Sequence, residues 1–253
     1  MIETTRKISE LNVVELKTLQ SLLANLYLYP ASEIDGIYGP KTERAWASFK
    51  RAHYLGQIHE IGPASYQKLV FEATFAKPIL ITRTHFDQIF YNARSRDRDT
   101  YFLPINQAMA EFEINNLRRI AAFLAQIGHE SGNLRYSEEI ASGAAYENRW
   151  DLGNTQKGDG MRFKGRGLIQ LTGRDNYRTV GKVLKLDLIN NPKIASQPLN
   201  AARIAGYFWK SRGLNELADY EKFKTISLKI NGGYNGYFDR VSRWNHAKEV
   251  LGC

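Results

Sequence analysis

Apolar side chains recur at Val13, Leu16, Leu19, Leu22, Leu23 and Leu26, the three-and-four spacing that gathers them on one face of a helix. The spacing predicts a helix over residues 13–29, stopped by Pro30, which cannot continue the hydrogen-bond ladder. Next stands Asp35-Gly36-Ile37-Tyr38-Gly39-Pro40-Lys41-Thr42. Asp-Gly and Gly-Pro mark tight turns there, the glycines supplying positive φ, and Thr42 has the side chain to cap a following helix. That second helix would turn Ala45, Trp46, Phe49 and Ala52 inward, and a third, opened by Gly62-Pro63-Ala64-Ser65, would carry Leu69 and Val70.

Between residues 75 and 103 the pattern loosens. Phe75, Pro78, the charged run 94–99 and Pro104 read as a boundary, placed near residue 76, that divides the chain into units 1–75 and 76–253. Helical periodicity returns over 105–112 and 117–127, the second stretch carrying Leu117, Ile120, Ala121, Leu124 and Ile127 inward. This buried helix runs into Gly128-His129-Glu130-Ser131-Gly132, so Glu130 stands at the end of an apolar element, with Gly132 to terminate it. Burial disfavours a charged carboxylate and raises its pKa, which a general acid working near neutral pH requires. A lone glutamate at a helix end is more often a solvated charge.

A second stretch changes that weighting. In Lys164-Gly165-Arg166-Gly167-Leu168-Ile169-Gln170-Leu171-Thr172-Gly173 the alternation reads as a short strand with Gln170 and Thr172 on one face of a cleft. Amide and hydroxyl groups in line suit an uncharged polyol such as a sugar. The glycine-punctuated stretch 151–160 would form another wall.

Composition and charge narrow the classes. Hydrophobic residues make up 43% of the 253, enough for a core, yet no run approaches the roughly 18 apolar residues of a spanning helix. The first ten residues hold no apolar stretch of a secretion signal. The one cysteine, Cys253, excludes an internal disulfide, and the five histidines show no His-Glu-x-x-His, so neither a metal nor another cofactor is expected and a zinc amidase is disfavoured. The net charge of +9 is uneven. Residues 1–75 carry eight Lys/Arg and eight Asp/Glu, leaving 27 of the 35 bases and 18 of the 26 acids in the remainder. A polyanionic partner is implied for the second part. Without a basic run, zinc-finger spacing or RNA-recognition motif, nucleic acid is not the expected partner, and anionic bacterial envelope polymers fit the charge equally well.

Two stretches resemble known families. Residues 11–70 resemble the peptidoglycan-binding domain of cell-wall hydrolases in their leucine-rich helix and in Asp35, Gly36, Tyr38, Gly39, Thr42 and Phe49. Asp35, Tyr38 and Thr42 would then mark the module's site, with the Tyr38 ring stacking on sugar. The run Phe-Leu-Ala-Gln-Ile-Gly-His-Glu-Ser-Gly at 123–132, the stretch from Gly165 to Tyr177, and Asn231-Gly232-Gly233 resemble the chitinase-like lysozyme domain of glycoside hydrolase family 19, in its phage endolysin form. That resemblance spans residues 81–252. Together they imply a mainly α protein: a three-helix peptidoglycan-binding module, then an α-rich, lysozyme-like α+β catalytic domain with a small β element.

By the second resemblance Glu130 is the general acid, and Gln170, Thr172, Asn176, Tyr177 and Asn231 are similar to sugar-binding positions, while Arg166 holds an acidic partner or shapes the cleft. Glu138, Glu139 and Glu147 stand where a second carboxylate is needed. Glu147 resembles the chitinase base, although its spacing of 17 residues from Glu130 departs from the plant enzymes, and Glu139 resembles an acidic position of the endolysin form. Both stay candidates. An inverting glycosidase needs its carboxyl groups roughly 6.5–9.5 Å apart and a retaining one about 5–5.5 Å.

The activity so implied is hydrolysis of the β-1,4 bond between N-acetylmuramic acid and N-acetylglucosamine in peptidoglycan, ending in lysis of the host cell. Alternatives are a lytic transglycosylase, similar in Glu130-Ser131 and Gly167-Leu168-Ile169-Gln170-Leu171, a chitinase, and a binding module without catalysis, against which intact Glu130, Gln170 and Thr172 argue. The lack of a leader resembles endolysins made in the host bacterial cytoplasm and released through a holin pore to act on the wall. A monomer without stable membrane insertion is expected.

Overall fold

The computed structural model describes residues 2–74 and 79–253, so the boundary expected near residue 76, with Phe75 and Pro78, lies outside the described residues. The first part contains β1 (Arg6–Lys7), α1 (Val13–Asn25), α2 (Pro40–Ala52), β2 (Glu60–Ile61) and α3 (Pro63–Thr74). The second runs through α4 (Arg83–Ile89), α5 (Ser95–Glu111), α6 (Leu117–Glu130), α7 (Asp159–Arg162), α8 (Arg174–Leu184), α9 (Pro198–Ser211), α10 (Leu214–Asp219), α11 (Phe223–Asn231) and α12 (Tyr237–Leu251).

In the first part the three expected helices form around one core. Asn12 opens α1 by accepting from the Glu15 amide at 3.0 Å while the Glu15 carboxylate takes the Asn12 amide at 3.0 Å, a reciprocal cap. Leu16, Leu19 and Leu23 are buried. The helix ends at Asn25 rather than 29, because the chain turns back with Tyr27 at φ 58°, so Pro30 does not terminate it. In α2, Ala45, Trp46, Phe49 and Ala52 all face the core. Two details differ from expectation. Gly39 has φ −162°, extended backbone open to any residue, and Thr42 lies inside α2, buried, with no capping role. Gly36 does need glycine: its φ is +77°, and a Cβ would stand 2.7 Å from the Val13 carbonyl oxygen. β1 and β2 pair antiparallel, Arg6 with Ile61 and Lys7 with Glu60, tying residues 6–7 to the strand that leads into α3.

The charged run 94–99, expected as part of a linker, instead begins α5. Most of its charges are paired in place: Arg94 pairs with Asp97 at 2.6 Å, Arg98 with Asp87 at 3.1 Å, and Asp99 receives Arg83 at 2.5 Å and Arg44 of α2 at 3.3 Å. Ser48 of α2 donates to the Asp99 carbonyl. Pro104, read as a breaker, sits buried within α5. That helix lies between α2 and α9, and Leu103 on it joins the core of the first part. Tertiary packing on both faces overrides the local cost of the proline.

The second part is built on two helix pairs, α6 with α12 and α5 with α9. Phe123 of α6 meets Trp209 of α9 edge to face at 5.3 Å in their shared core. The strand expected over 168–172 is a tight turn: Arg166 and Leu171 exchange backbone hydrogen bonds of 3.0 and 2.7 Å, with Gly167 and Gln170 at positive φ. The alternation mimics a strand, but Leu168 and Leu171 are both buried. The two-stranded sheet therefore belongs to the first part, and the second contributes only isolated bridges of Arg166 to Glu138 and Leu171 among the described residues. Among the same residues no helix is long and apolar enough to cross a membrane.

Candidate active site

Glu130 is the last residue of α6, and the residues just beyond it fix its position. Buried Ser131 donates its hydroxyl to the Ile127 carbonyl at 2.7 Å and accepts from the Leu134 amide at 2.8 Å, after which Gly132 turns the chain at φ +57°. The Glu130 side chain is 21% exposed, so it borders a surface without standing free in solvent. Its partner is Arg240 of α12, fully enclosed, whose Nη2 donates to Glu130 Oε1 at 2.5 Å. The same guanidinium donates to Gln126 Oε1, and Gln126 Nε2 donates to Ser227 Oγ at 2.9 Å. The apolar surroundings expected for Glu130 are thus replaced on one side by a permanently charged donor. The neighbouring His129 places Nδ1 2.7 Å from Asp239, which also receives Arg243 at 2.6 Å.

The segment after Glu130 returns along the 165–171 turn. Gly167 donates its amide to Ser137 O at 2.8 Å, and the Glu139 amide donates to Gly165 O at 2.9 Å. Glu139 is held at its carboxylate as well: Oε2 accepts from the Gly165 amide at 3.0 Å and Oε1 from the Tyr146 hydroxyl at 3.1 Å. Burial, then Glu139 itself, pushes the Tyr146 phenol up. A Cβ on Gly165 would lie 2.5 Å from Gln170 Oε1 and 3.2 Å from Glu139 Oε2, so this glycine lets the amide and the carboxylate crowd over one point of backbone. Glu147 is engaged differently. Its two oxygens accept from the amides of Gly158 and Gly160 at 2.7 and 2.8 Å, clamping the loop that leads into α7. Glu138 is taken by Arg166 at 3.2 Å and Lys164 at 3.3 Å.

Of the expected sugar-contacting residues, three gather on the 170–176 stretch with accessible surface. Gln170 donates to Gly167 O at 3.2 Å, Thr172 donates to Gln170 O at 2.9 Å, and exposed Asn176 donates to Thr172 O at 2.8 Å. Tyr177 and Arg166 do not join them. Tyr177 is wholly buried, donates to Lys164 O at 2.7 Å, and is pushed by burial up to about 12. Arg166, 3% exposed, donates to the Tyr177 hydroxyl at 3.1 Å and Arg162 O at 2.8 Å. Both brace the turn from the buried side, through the carbonyls of Lys164 and Arg162. Exposed Asn231 ends α11, on the other side: the loop it begins reaches Gly236, where a Cβ would stand 2.3 Å from the His129 ring. Asn231 itself donates to Asn235 O at 3.3 Å within that loop.

In the first part, Asp35 and Thr42 serve a buried hub that the sequence does not advertise, Gln20. Its Nε2 donates to Asp35 Oδ1 at 2.9 Å and to Thr42 Oγ1 at 3.1 Å, while its Oε1 accepts from the amides of Asp35 and Gly36 at 3.1 and 2.8 Å. Hydrogen bonds from Ile37 and Gln20 hold the Asp35 carboxyl below its usual range. Tyr38 alone of the three expected residues keeps an open ring face, being 36% exposed. Among the described residues, no cluster of His, Cys, Asp and Glu forms a metal-binding group.

Comparison with known proteins identifies the families that the two parts resemble. The chitinase class I family model matches residues 99–218, and the peptidoglycan binding domain model matches residues 12–57. A glycosyl hydrolase family 19 domain-containing protein of Haemophilus influenzae is 32% identical over 193 residues, covering 64% of this chain and 92% of that protein. An endochitinase of Arabidopsis thaliana is 39% identical over 119 residues, 46% of this chain and 40% of its own. Chitinase C of Streptomyces griseus shares the fold with a TM-score of 0.57 at 24% identity, covering 70% of this chain and 78% of its own. The class IV chitinase of Zea mays does so with a TM-score of 0.55 at 23% identity, covering 69% and 94%. The chain belongs to glycosyl hydrolase family 19. It is a glycoside hydrolase that carries a peptidoglycan-binding domain at its front.

Proposed function

We propose that the chain is an endolysin that hydrolyses the glycan strands of bacterial peptidoglycan, cutting between N-acetylmuramic acid and N-acetylglucosamine. Glu130 is the proton donor to the glycosidic oxygen. Glu139 is the base that takes a proton from the attacking water, in preference to Glu147. The observation that carries this choice is the Glu139 carboxylate resting on the Gly165 amide beside Gln170, on the turn that carries the sugar-side groups. Glu147 spends its oxygens on the loop backbone. Gln170, Thr172 and Asn176 would orient a sugar on one side, and Asn231 on the side of Glu130. The front unit, taken as residues 1–75, holds the enzyme on its insoluble substrate and raises the local concentration of bonds to cut. Production in the host cytoplasm by a phage, release through a holin pore and action as a monomer complete the proposal.

The test is digestion of purified sacculi by the full chain and by Glu130→Gln, with mass spectrometry of the products. Reducing muramic acid ends that disappear with Glu130→Gln support the reading. Anhydro-muramic ends would make the chain a lytic transglycosylase, and release of sugars from chitin with intact sacculi would make it a chitinase, the activity named for its plant relatives.

A further inference from the structure

Where the end of α2 meets the start of α5, the two parts of the chain leave a groove of about 890 Å³. Lys50 and Arg51 of α2 line it, as do Arg94 and Arg96 at the start of α5, and Arg135 from the segment joining Glu130 to Glu139. Asp97, the one carboxylate in its lining, is already paired with Arg94 at 2.6 Å. Lys50, Arg51, Arg96 and Arg135 have no ion pair and donate no side-chain hydrogen bond among the described residues. Lys50 lies over the Trp46 ring at 5.5 Å and Arg135 over Tyr136 at 5.3 Å.

Four unpaired cations facing one space repel one another. Burial lowers the Lys50 amine and the Arg51 guanidinium, and the nearest opposing charges, Glu60 and Asp99, act on them only through space. An anion in the groove would relieve both costs. The position of the groove narrows the kind of anion. Its lining includes Leu134, Arg135 and Ser137, which lie between Glu130 and Glu139, and Ser137 O accepts the Gly167 amide of the sugar-side turn. The groove thus borders the chain segment that joins the two carboxylates. In peptidoglycan, acidic peptides hang from the sugar strand.

We infer that this groove is a subsite for the acidic peptide side chains of peptidoglycan, whose carboxylates pair with Arg51, Arg96 and Arg135 while the strand lies beside Glu130 and Glu139. The inference rests on the reading of the chain as a peptidoglycan hydrolase and adds a requirement to it: the enzyme prefers strands that carry peptides over bare ones.

The experiment uses the full chain and the triple variant Arg51→Gln/Arg96→Gln/Arg135→Gln on two substrates, soluble peptidoglycan strands with their peptides and the same strands stripped by an amidase. The KM of the triple variant should rise about tenfold on peptide-bearing strands, with kcat unchanged and no change on stripped strands. An equal change on both substrates, or none on either, overturns the inference. Calorimetric titration of full-length Glu130→Gln with the free acidic peptide separates this from the hydrolysis reading. Binding that weakens about tenfold when the triple substitution is added supports the groove even where the chain cleaves neither strand. Absence of peptide binding, with polyphosphate bound instead, would assign the groove to phosphate polymers and overturn it.

Discussion

Arg240 reaches across from α12 to hold Glu130 at the end of α6, and grips Gln126 one turn earlier on the same helix. Two contacts on one helix face fix both the height and the rotation of the carboxylate, because the guanidinium is planar and carries its donors in a rigid fork. Arg240→Lys keeps the charge but has no fork. It should lower kcat about a hundredfold on soluble strands while leaving KM within about twofold. A variant with unchanged kcat would show that Glu130 is positioned without Arg240.

Glu139 and Glu147 should part company when each is replaced by Gln. Glu139→Gln should lower kcat by about 10² to 10⁴, as loss of a general base does, with little change in Tm. Glu147→Gln should act on stability instead, costing about 1–3 kcal/mol, since the amide NH2 would confront the Gly158 or Gly160 amide. The reverse pattern, in thermal melts and initial rates, would transfer the role of base to Glu147.

His53 supplies a pH dependence. Burial against Phe49, whose ring is 4.6 Å away, brings its pKa down to about 4 from 6.5. Between these values the unfolded chain binds the proton that the folded chain refuses, so stability falls as pH drops through that window. The loss should reach about 2 kcal/mol between pH 7 and pH 5. His53→Leu should flatten the fall by that amount in denaturant titrations at the two pH values, and an unaltered slope would assign the acid sensitivity elsewhere.

Gln20→Leu should unfasten the Asp35-Gly36 turn. The buried Gly36 amide loses its partner at a cost of about 1–3 kcal/mol, and exposed Asp35 loses one hydrogen bond at its amide and one at its carboxylate. Sedimentation with sacculi should show weaker binding, while kcat on short soluble strands stays the same. Undiminished sedimentation would place wall recognition away from this turn.

The helices of the first part are legible in the sequence because their apolar residues face one core and follow the 3.6-residue period. Glu130 and the Gln170 turn are legible as short motifs, although the turn has the pattern of a strand: Ile169 and Leu171 alternate with polar residues, and nothing local announces positive φ at Gln170. The linker reading of 94–99 fails because its acids, Asp97 and Asp99, are held by Arg94, Arg83 and Arg44, the last of them from a distant helix. Arg240 and Gln20 leave no signal. Each is a polar residue in an amphipathic helix, and only the fold turns it inward. Tyr177 looks like a cleft residue by proximity to the motif, which does not say which side of the backbone a side chain occupies, whereas Arg166 holds an acidic partner, Glu138, as one of its two readings has it.

Leu103 sits on α5 yet belongs to the core of the front unit, and Asp99 one turn earlier takes Arg44 and Ser48 from α2. An anchor built in this way cannot swing on a leash. Under the proposed function it sets a constant stride between the point of wall binding and the bond that is cut, so the protein would work less like a tethered blade than like a gauge sliding along its track.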